Sequence, residues 1–192
     1  QLSKIYFDEI IDGMEMDLKT NRYKSFKHLE LYCYRVASCV GILSAHIFGF
    51  KDQKTLKYAH NLGIALQLTN IIRDIGEDAR RGRIYIPLDE LKKSNLNEAD
   101  ILNFKKNYKI KNLIKNQAKR AKYFYLLAVN NLPDTDKKSQ KPGLIMANIY
   151  YVLLSKIIKE HPENIINQRT LITHFEKLKI TILTFINFSF IR

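Results

Sequence analysis

The chain places apolar residues at helical spacing almost throughout. Leu29, Tyr32, Val36, Val40, Leu43 and Ile47 recur at threes and fours, the spacing at which side chains share one helix face, and predict a long helix with a single buried stripe. The same period predicts helices over 56–78, 101–131 and 144–160. Breakers separate them. Arg81-Gly82-Arg83 through Pro87 reads as a loop, Pro133-Asp134 opens another that runs to Lys141, Lys141-Pro142-Gly143 precedes the last helix, and His161-Pro162 closes it. There is no internal repeat, no alternating run long enough to demand a strand, and no Gly-rich phosphate loop. The expected class is all-α. With 46% hydrophobic residues and only 7 Gly and 4 Pro in 192 residues, one domain over 1–192 with one core is expected.

The most apolar run, Ile180–Ile191, is shorter than the roughly 20 residues a helix needs to cross a bilayer. A buried closing helix is expected there, with a strand or a shallow membrane contact as alternatives. Cys33 and Cys39 lie six residues apart in one predicted helix. That is about 9 Å of rise, beyond the roughly 7 Å a disulfide allows. Both thiols therefore read as small core residues in a reducing, cytoplasmic setting.

Charge is uneven. Of the net +13, almost all lies in residues 101–192, which carry 17 Lys and Arg against 5 Asp and Glu. Eight cations and no acid fall between Lys105 and Lys122. Such a face suits nucleic acid, anionic headgroups or phosphorylated substrates, and equally a solvated lysine-rich helix. A nucleic-acid module, whose affinity would fall steeply with salt, leaves the acidic stripe at Asp74–Asp78 unexplained, so no nucleic-acid partner is expected.

That stripe lies in "QLTNIIRDIGEDARRGRIYIPLDEL", residues 67–91. At about 100° per residue Gln67, Asn70, Asp74 and Asp78 fall within roughly 80° of arc, with Arg73 and Glu77 beside them. Ile64, Leu68, Ile71, Ile72 and Ile75 occupy much of the rest. A polar stripe on an apolar helix suggests a lined cavity. Like charges at i and i+4 repel strongly when they face a pocket unless a cation sits between them. Mg²⁺ suits the place, because it takes oxygen ligands and is held by one or two carboxylates together with substrate phosphates. An exposed helix end laced with Arg–Glu pairs is the alternative.

"LYCYRVASCVGILSAHIFGF" at 31–50, followed by "ALQLTNIIRDIGEDARRGRIYIP" at 65–87, resembles the squalene and phytoene synthase family, the head-to-head prenyltransferases with the all-α isoprenoid synthase fold. "DGMEMDL" at 12–18, "NLP" at 131–133 and "MANIYYVLL" at 146–154 extend the resemblance over nearly the whole chain. The resemblance implies that Asp74 and Asp78 bind the Mg²⁺ ions that hold a substrate diphosphate, with Glu77 supporting them. Asn70 and Gln67 would face metal and diphosphate. Arg73, Tyr150 and Arg83 would contact phosphate oxygens, Tyr32 would lie near the reacting diphosphate, and Val36, Ala37, Val40 and Gly41 would wall the prenyl channel. Tyr32 and Tyr150 also read as buried aromatics, and Ala37 and Gly41 as residues that simply let helices approach.

The family's first aspartate-rich motif is not found. Asp8 and Asp12 repeat the i, i+4 spacing but lead directly into "GMEMDL", whereas the family's first motif lies well upstream. The chain, which starts at Gln1 without a leader, is therefore expected to lack the N-terminal helices and half of the diphosphate clamp.

Among branches, "DGMEMDL" and "YCYRVAS" are most similar to the bacterial presqualene diphosphate synthases of the hopanoid pathway. That branch implies joining two farnesyl diphosphates with Mg²⁺ and without NADPH, at the cytoplasmic face of the membrane, near downstream enzymes of the squalene pathway. Phytoene synthase, using two C20 diphosphates, and dehydrosqualene synthase are the alternatives. A truncated, non-catalytic, membrane-associated relative is the alternative of another class.

Overall fold

Helix α4 (Lys54–Arg80) runs through the middle of the molecule, and its composition explains why. Ile64, Leu68, Ile71, Ile72 and Ile75 are all buried, so the helix is apolar on most sides and is covered on most sides. It packs most extensively against α7 (Tyr108–Asn131), and also against α3 (Cys39–Phe48) and α8 (Lys141–Lys159). The computed structural model describes residues 2–105, 107–159, 162–186 and 191, and among them the only β pairing is an isolated bridge, Arg22 with Ile84. The remaining helices are α1 (Lys4–Lys19), α2 (Phe26–Cys33), α5 (Leu88–Lys93), α6 (Glu98–Leu102) and α9 (His174–Ile186), with short 3₁₀ turns at Asp134–Asp136 and Pro162–Ile166. The all-α expectation holds.

Two glycines let neighbours close on α4. A Cβ on Gly63 would lie 2.5 Å from Cα of Ser38, and one on Gly76 would run into the carbonyl oxygen of Ile166. Backbone therefore packs directly on backbone at both places. Helix α4 stops where Gly82, at φ +71°, takes the left-handed conformation that a side chain resists.

Several sequence expectations change. The stripe from Leu29 to Ile47 is not buried along its length, because α2 and α3 are joined by a π-helical turn, Tyr34–Ser38. One extra residue per turn rotates everything beyond it. Leu29 and Tyr32 stay inside, while Val40 is 45% and Ile47 71% exposed. The run Phe26–Phe48 is long and apolar enough to cross a membrane; here part of that surface packs on α1 and α4.

The helix predicted over 101–131 is broken. Helix α6 ends at Leu102, Phe104 has φ +54°, and α7 starts at Tyr108 behind the cap Asn107, whose side chain accepts from the amides of Lys109 and Ile110. That cap competes with an uninterrupted helix. Lys141-Pro142-Gly143, read as a breaker, instead forms the first turn of α8, where proline's missing N–H has no intrahelical acceptor to lose.

The closing apolar run is helical in α9 but not buried. Phe175, Leu178, Ile182, Phe185 and Ile186 are more than half exposed, while Ile180 and Thr184 are inside. Residues 187–190 of that run, and His161 of the predicted helix stop, lie outside the described residues. Cys33 and Cys39 are free and buried.

Candidate active site

A cavity of about 390 Å³ lies between α3 with its π turn, α4 and α8, within the size range of ligand pockets. Val36, Ala37, Val40 and Gly41 all line it, so the four residues assigned to a channel wall share one wall. Gly41 does both things open to it. It faces the cavity, and a Cβ there would meet the carbonyl oxygen of Ala59 at 2.8 Å.

Polar groups line both ends, with Ser44, Tyr58 and Gln140 toward one and Gln67, Asn70 and Tyr150 toward the other. Past Gln67 and Asn70 the α4 stripe carries on to Asp74 and Asp78, one helical turn apart. The Asn70 amide donates to Gln67 at 3.4 Å, while its own carbonyl oxygen is buried without a partner among the described residues. A buried acceptor left empty is costly, so this atom points to a donor or cation that the protein does not supply. Tyr150 lies beside Arg73. Burial opposes the guanidinium's charge, but Asp74 and Tyr150 outweigh burial and hold it above its ordinary range.

Asp74 is saturated with cations. Arg73 reaches it with Nε at 2.8 Å and Nη2 at 2.5 Å, and Arg169 with Nε at 2.7 Å and Nη2 at 3.3 Å. These four contacts occupy its acceptor directions, so a metal ion would bind Asp74 in exchange for a guanidinium. Glu77 pairs with Arg81 at 2.9 Å and faces Arg169 at 3.7 Å.

Asp78 is different. Its carboxylate has no hydrogen bond or ion pair among the described residues. Burial first, then the charges of Asp74 and Glu77, push its pKa up to about 6. Among the described residues no three His, Cys, Asp or Glu side chains converge as a ready metal cage. A cation here would draw on Asp78, the empty Asn70 carbonyl and oxygens of its own ligand, the donor set Mg²⁺ accepts.

Tyr32 and Arg83 sit apart from the cavity lining, in a second cluster around Asp17. Asp17 accepts from Tyr32 Oη at 2.9 Å, Tyr85 Oη at 2.5 Å and Arg83 Nη1 at 2.7 Å. Burial works against its charge, but the three donors prevail and hold the carboxyl below its usual range. Burial raises the tyrosine hydroxyls, Tyr85 to about 12 and Tyr32 well beyond its ordinary value. The loop after α4 brings Arg83 and Tyr85 here, because Ile84 N donates to Asn21 O at 3.1 Å and Leu88 N to Tyr23 O at 2.8 Å.

Asp8 and Asp12 are elsewhere: Asp8 pairs with Lys4 at 3.7 Å and Asp12 with Arg35 at 3.3 Å, on α1. Part of the basic run is occupied. Arg120 is bound to Glu90 at 2.6 Å and lies 3.9 Å from the Phe26 ring centroid, Lys105 pairs with Asp100 at 2.9 Å, and Lys122 lies over Tyr151. Sequence reasoning missed Arg169, which belongs to no periodic element and no quoted motif. Asp17 lay inside "DGMEMDL" without being singled out.

Among the described residues the fold is an all-helical bundle whose largely apolar cavity is lined by the same helix that carries Asp74 and Asp78. The squalene/phytoene synthase family model matches residues 1–176, and the chain belongs to that family. It is 40% identical over 178 residues to the chloroplastic phytoene synthase of an Oncidium hybrid cultivar, covering 90% of this chain and 43% of that protein. It is 39% identical over 185 residues to the phytoene synthase of Arthrospira platensis, covering 90% of this chain and 60% of that one. The chain thus spans about half the length of these relatives. Among solved structures, a dehydrosqualene synthase in complex with ligand superposes with a TM-score of 0.84 at 25% identity, over 97% of this chain and 66% of that chain. Squalene synthase HpnC from Alicyclobacillus acidocaldarius does so with a TM-score of 0.76 at 23% identity, over 84% of this chain and 61% of that chain. The isoprenoid synthase fold is the one expected.

Proposed function

We propose that this chain forms the tail cavity and one carboxylate arm of an enzyme that joins two prenyl diphosphates head to head, with the C20 geranylgeranyl diphosphate as substrate. The observation that carries the reaction class is the continuity of one helix: apolar cavity wall, then Gln67 and Asn70, then Asp74 and Asp78. The two phytoene synthases at 39–40% identity favour C20 over the C15 chain expected from the sequence.

In this reading the tail lies against Val36, Ala37, Val40 and Gly41 and the diphosphate sits beside Asn70, Arg73 and Asp78. Asp78, the Asn70 carbonyl and, in exchange for a guanidinium, Asp74 would hold Mg²⁺, which would supply positive charge to the leaving diphosphate when bound. Arg73 and Arg169 add fixed positive charge where the departing oxygens gain electrons. The C–O bond of one substrate breaks with its electron pair leaving on diphosphate. The resulting allylic cation is shielded from water by the apolar wall, and the double bond of the second substrate attacks it. A proton is then lost as a cyclopropane closes. The high pKa of Tyr32 and its bond to Asp17 keep its hydroxyl protonated, which leaves the departing diphosphate as the base. No step to this point needs a reductant.

The test is product analysis by chromatography and mass spectrometry after incubating the chain, and a version extended upstream, with Mg²⁺ and either C15 or C20 diphosphate. A C40 product or its cyclopropyl precursor is expected, and Asp78→Asn or Asp74→Asn is expected to lower its rate at least about a hundredfold. A C30 product alone would replace the C20 assignment, and near-normal rates in both variants would remove the metal role.

A further inference from the structure

The cavity has a floor as well as a mouth. From Asn70 back to Tyr58 along α4 is twelve residues, about 18 Å at 1.5 Å per residue. Both line the cavity, as do Tyr150 and Pro142 of α8, eight residues or about 12 Å apart in the same sense. Helix α3 runs the opposite way: Ala37 and Ser38 touch Gly63, Gly41 touches Ala59, and the Gln140 amide binds the carbonyls of Ala45 and Gly49 at 3.3 and 2.9 Å. All three walls therefore end together, at Phe48, Tyr58 and the 140–143 segment.

Tyr58 fills that end. It is 1% exposed, and its hydroxyl is buried with no hydrogen-bond partner among the described residues. The oxygen abuts Gly143, where a Cβ would lie only 2.6 Å from it. A hydroxyl buried without a partner contributes nothing to folding, and phenylalanine would avoid the cost. What remains is its length, which carries the side chain across to the α8 backbone at this end of the cavity.

We propose that Tyr58, seated against Gly143, is the floor that sets the longest prenyl chain this site accepts. The proposal rests on the head-to-head prenyltransferase reading above. An extended sixteen-carbon main chain, that of a C20 tail, spans about 20 Å at bond lengths of about 1.5 Å, and the twelve-carbon main chain of a C15 tail about 15 Å. The 18 Å lining admits the first only when slightly bent, and one further isoprene unit would run into the Tyr58 ring.

The experiment measures binding rather than turnover. Calorimetry with Mg²⁺ and unreactive S-thiolo diphosphates of C15, C20 and C25 tails is run on the chain, on its upstream-extended form and on Tyr58→Leu, Tyr58→Phe and Gly143→Ala, each checked for helicity and melting. In the unaltered chain C20 is expected to bind tighter than C15, and C25 no tighter than C20. Tyr58→Leu is expected to improve C25 relative to C20 by about tenfold, since five newly buried carbons gain several-fold each before strain is deducted. Gly143→Ala, which drives the ring into the cavity, is expected to shift preference toward C15 by a similar factor. Tyr58→Phe, which lacks the oxygen that meets Gly143, is expected to melt no lower and to improve C25 relative to C20 by less than Tyr58→Leu does. Binding of the C20 compound with chain-length ratios unmoved by both Tyr58→Leu and Gly143→Ala would overturn the floor alone. Failure of both the unaltered chain and its upstream-extended form to bind any of the three would overturn the prenyl reading and the floor with it.

Discussion

At the residue scale the molecule depends on a few carboxylates that each gather several donors. Asp17 holds Tyr32, Tyr85 and Arg83 together, and Arg83 follows it by 66 positions. Asp17→Asn removes the charge that makes these hydrogen bonds strong, so a loss of about 2 kcal/mol at pH 7 is expected in urea unfolding. The pH dependence has a definite sign. A carboxyl held below its ordinary pKa in the folded state adds stability that is complete above the unfolded value and is lost as pH falls through the folded one. The gap between native and variant should therefore narrow on acidification below about pH 4; a gap that stays constant down to pH 3 would mean the charge is not what matters. The spacing of Asp74 and Asp78 was legible in the sequence because one helix turn separates them. The partners of Asp74 were not, because Arg169 reaches it across 95 positions.

At the element scale, contacts between backbones decide how the walls of the cavity stand. Gly76 lies against the 3₁₀ turn Pro162–Ile166, from which the chain continues to Arg169. A methyl group there must push the turn away, and overpacking of this kind costs about 1–3 kcal/mol. Gly76→Ala is expected to lower stability by that amount in thermal or urea unfolding; unchanged unfolding would show that the turn yields freely. The π turn at Tyr34–Ser38 is the element the periodicity concealed. Its threes-and-fours pattern continues across the turn, so the stripe looks unbroken although beyond the turn only Leu43 stays buried, while Val40 is partly exposed at the cavity and Ile47 faces solvent. The break before α7 was concealed differently, since Asn107 caps a helix with a side chain that counts, in a periodicity, only as one more polar position.

At the scale of the whole molecule, Asp136 joins distant parts of the chain. Its carboxylate accepts from the amides of Lys51 and Asp52 at 2.9 and 3.0 Å and from Thr55 Oγ1 at 2.7 Å, 81 to 85 positions away. It thereby fixes the start of α4 against the turn that leads into α8, at the floor end of the cavity. Asp136→Ala leaves two amides and a hydroxyl without their acceptor and is expected to cost about 3 kcal/mol, read as a lower urea midpoint. A shift under about 0.5 kcal/mol, the size of an ordinary surface change, would show that water replaces the carboxylate at no loss.

The sequence by itself determined the all-α class, the long central helix and the alignment of Gln67, Asn70, Asp74 and Asp78 on one face of it. These are local properties, set by a rise of about 1.5 Å and a turn of about 100° per residue. Only the tertiary structure decided that Arg169 neutralises Asp74, that Tyr32 turns to Asp17 instead of lining the cavity, and that Tyr58 meets Gly143 at its far end. Each of these meetings joins residues 15 to 95 positions apart. A glycine too small to hold backbones apart, a cap or an extra residue in a helical turn sets which of them come into contact, and none of these leaves a trace in the period of the sequence.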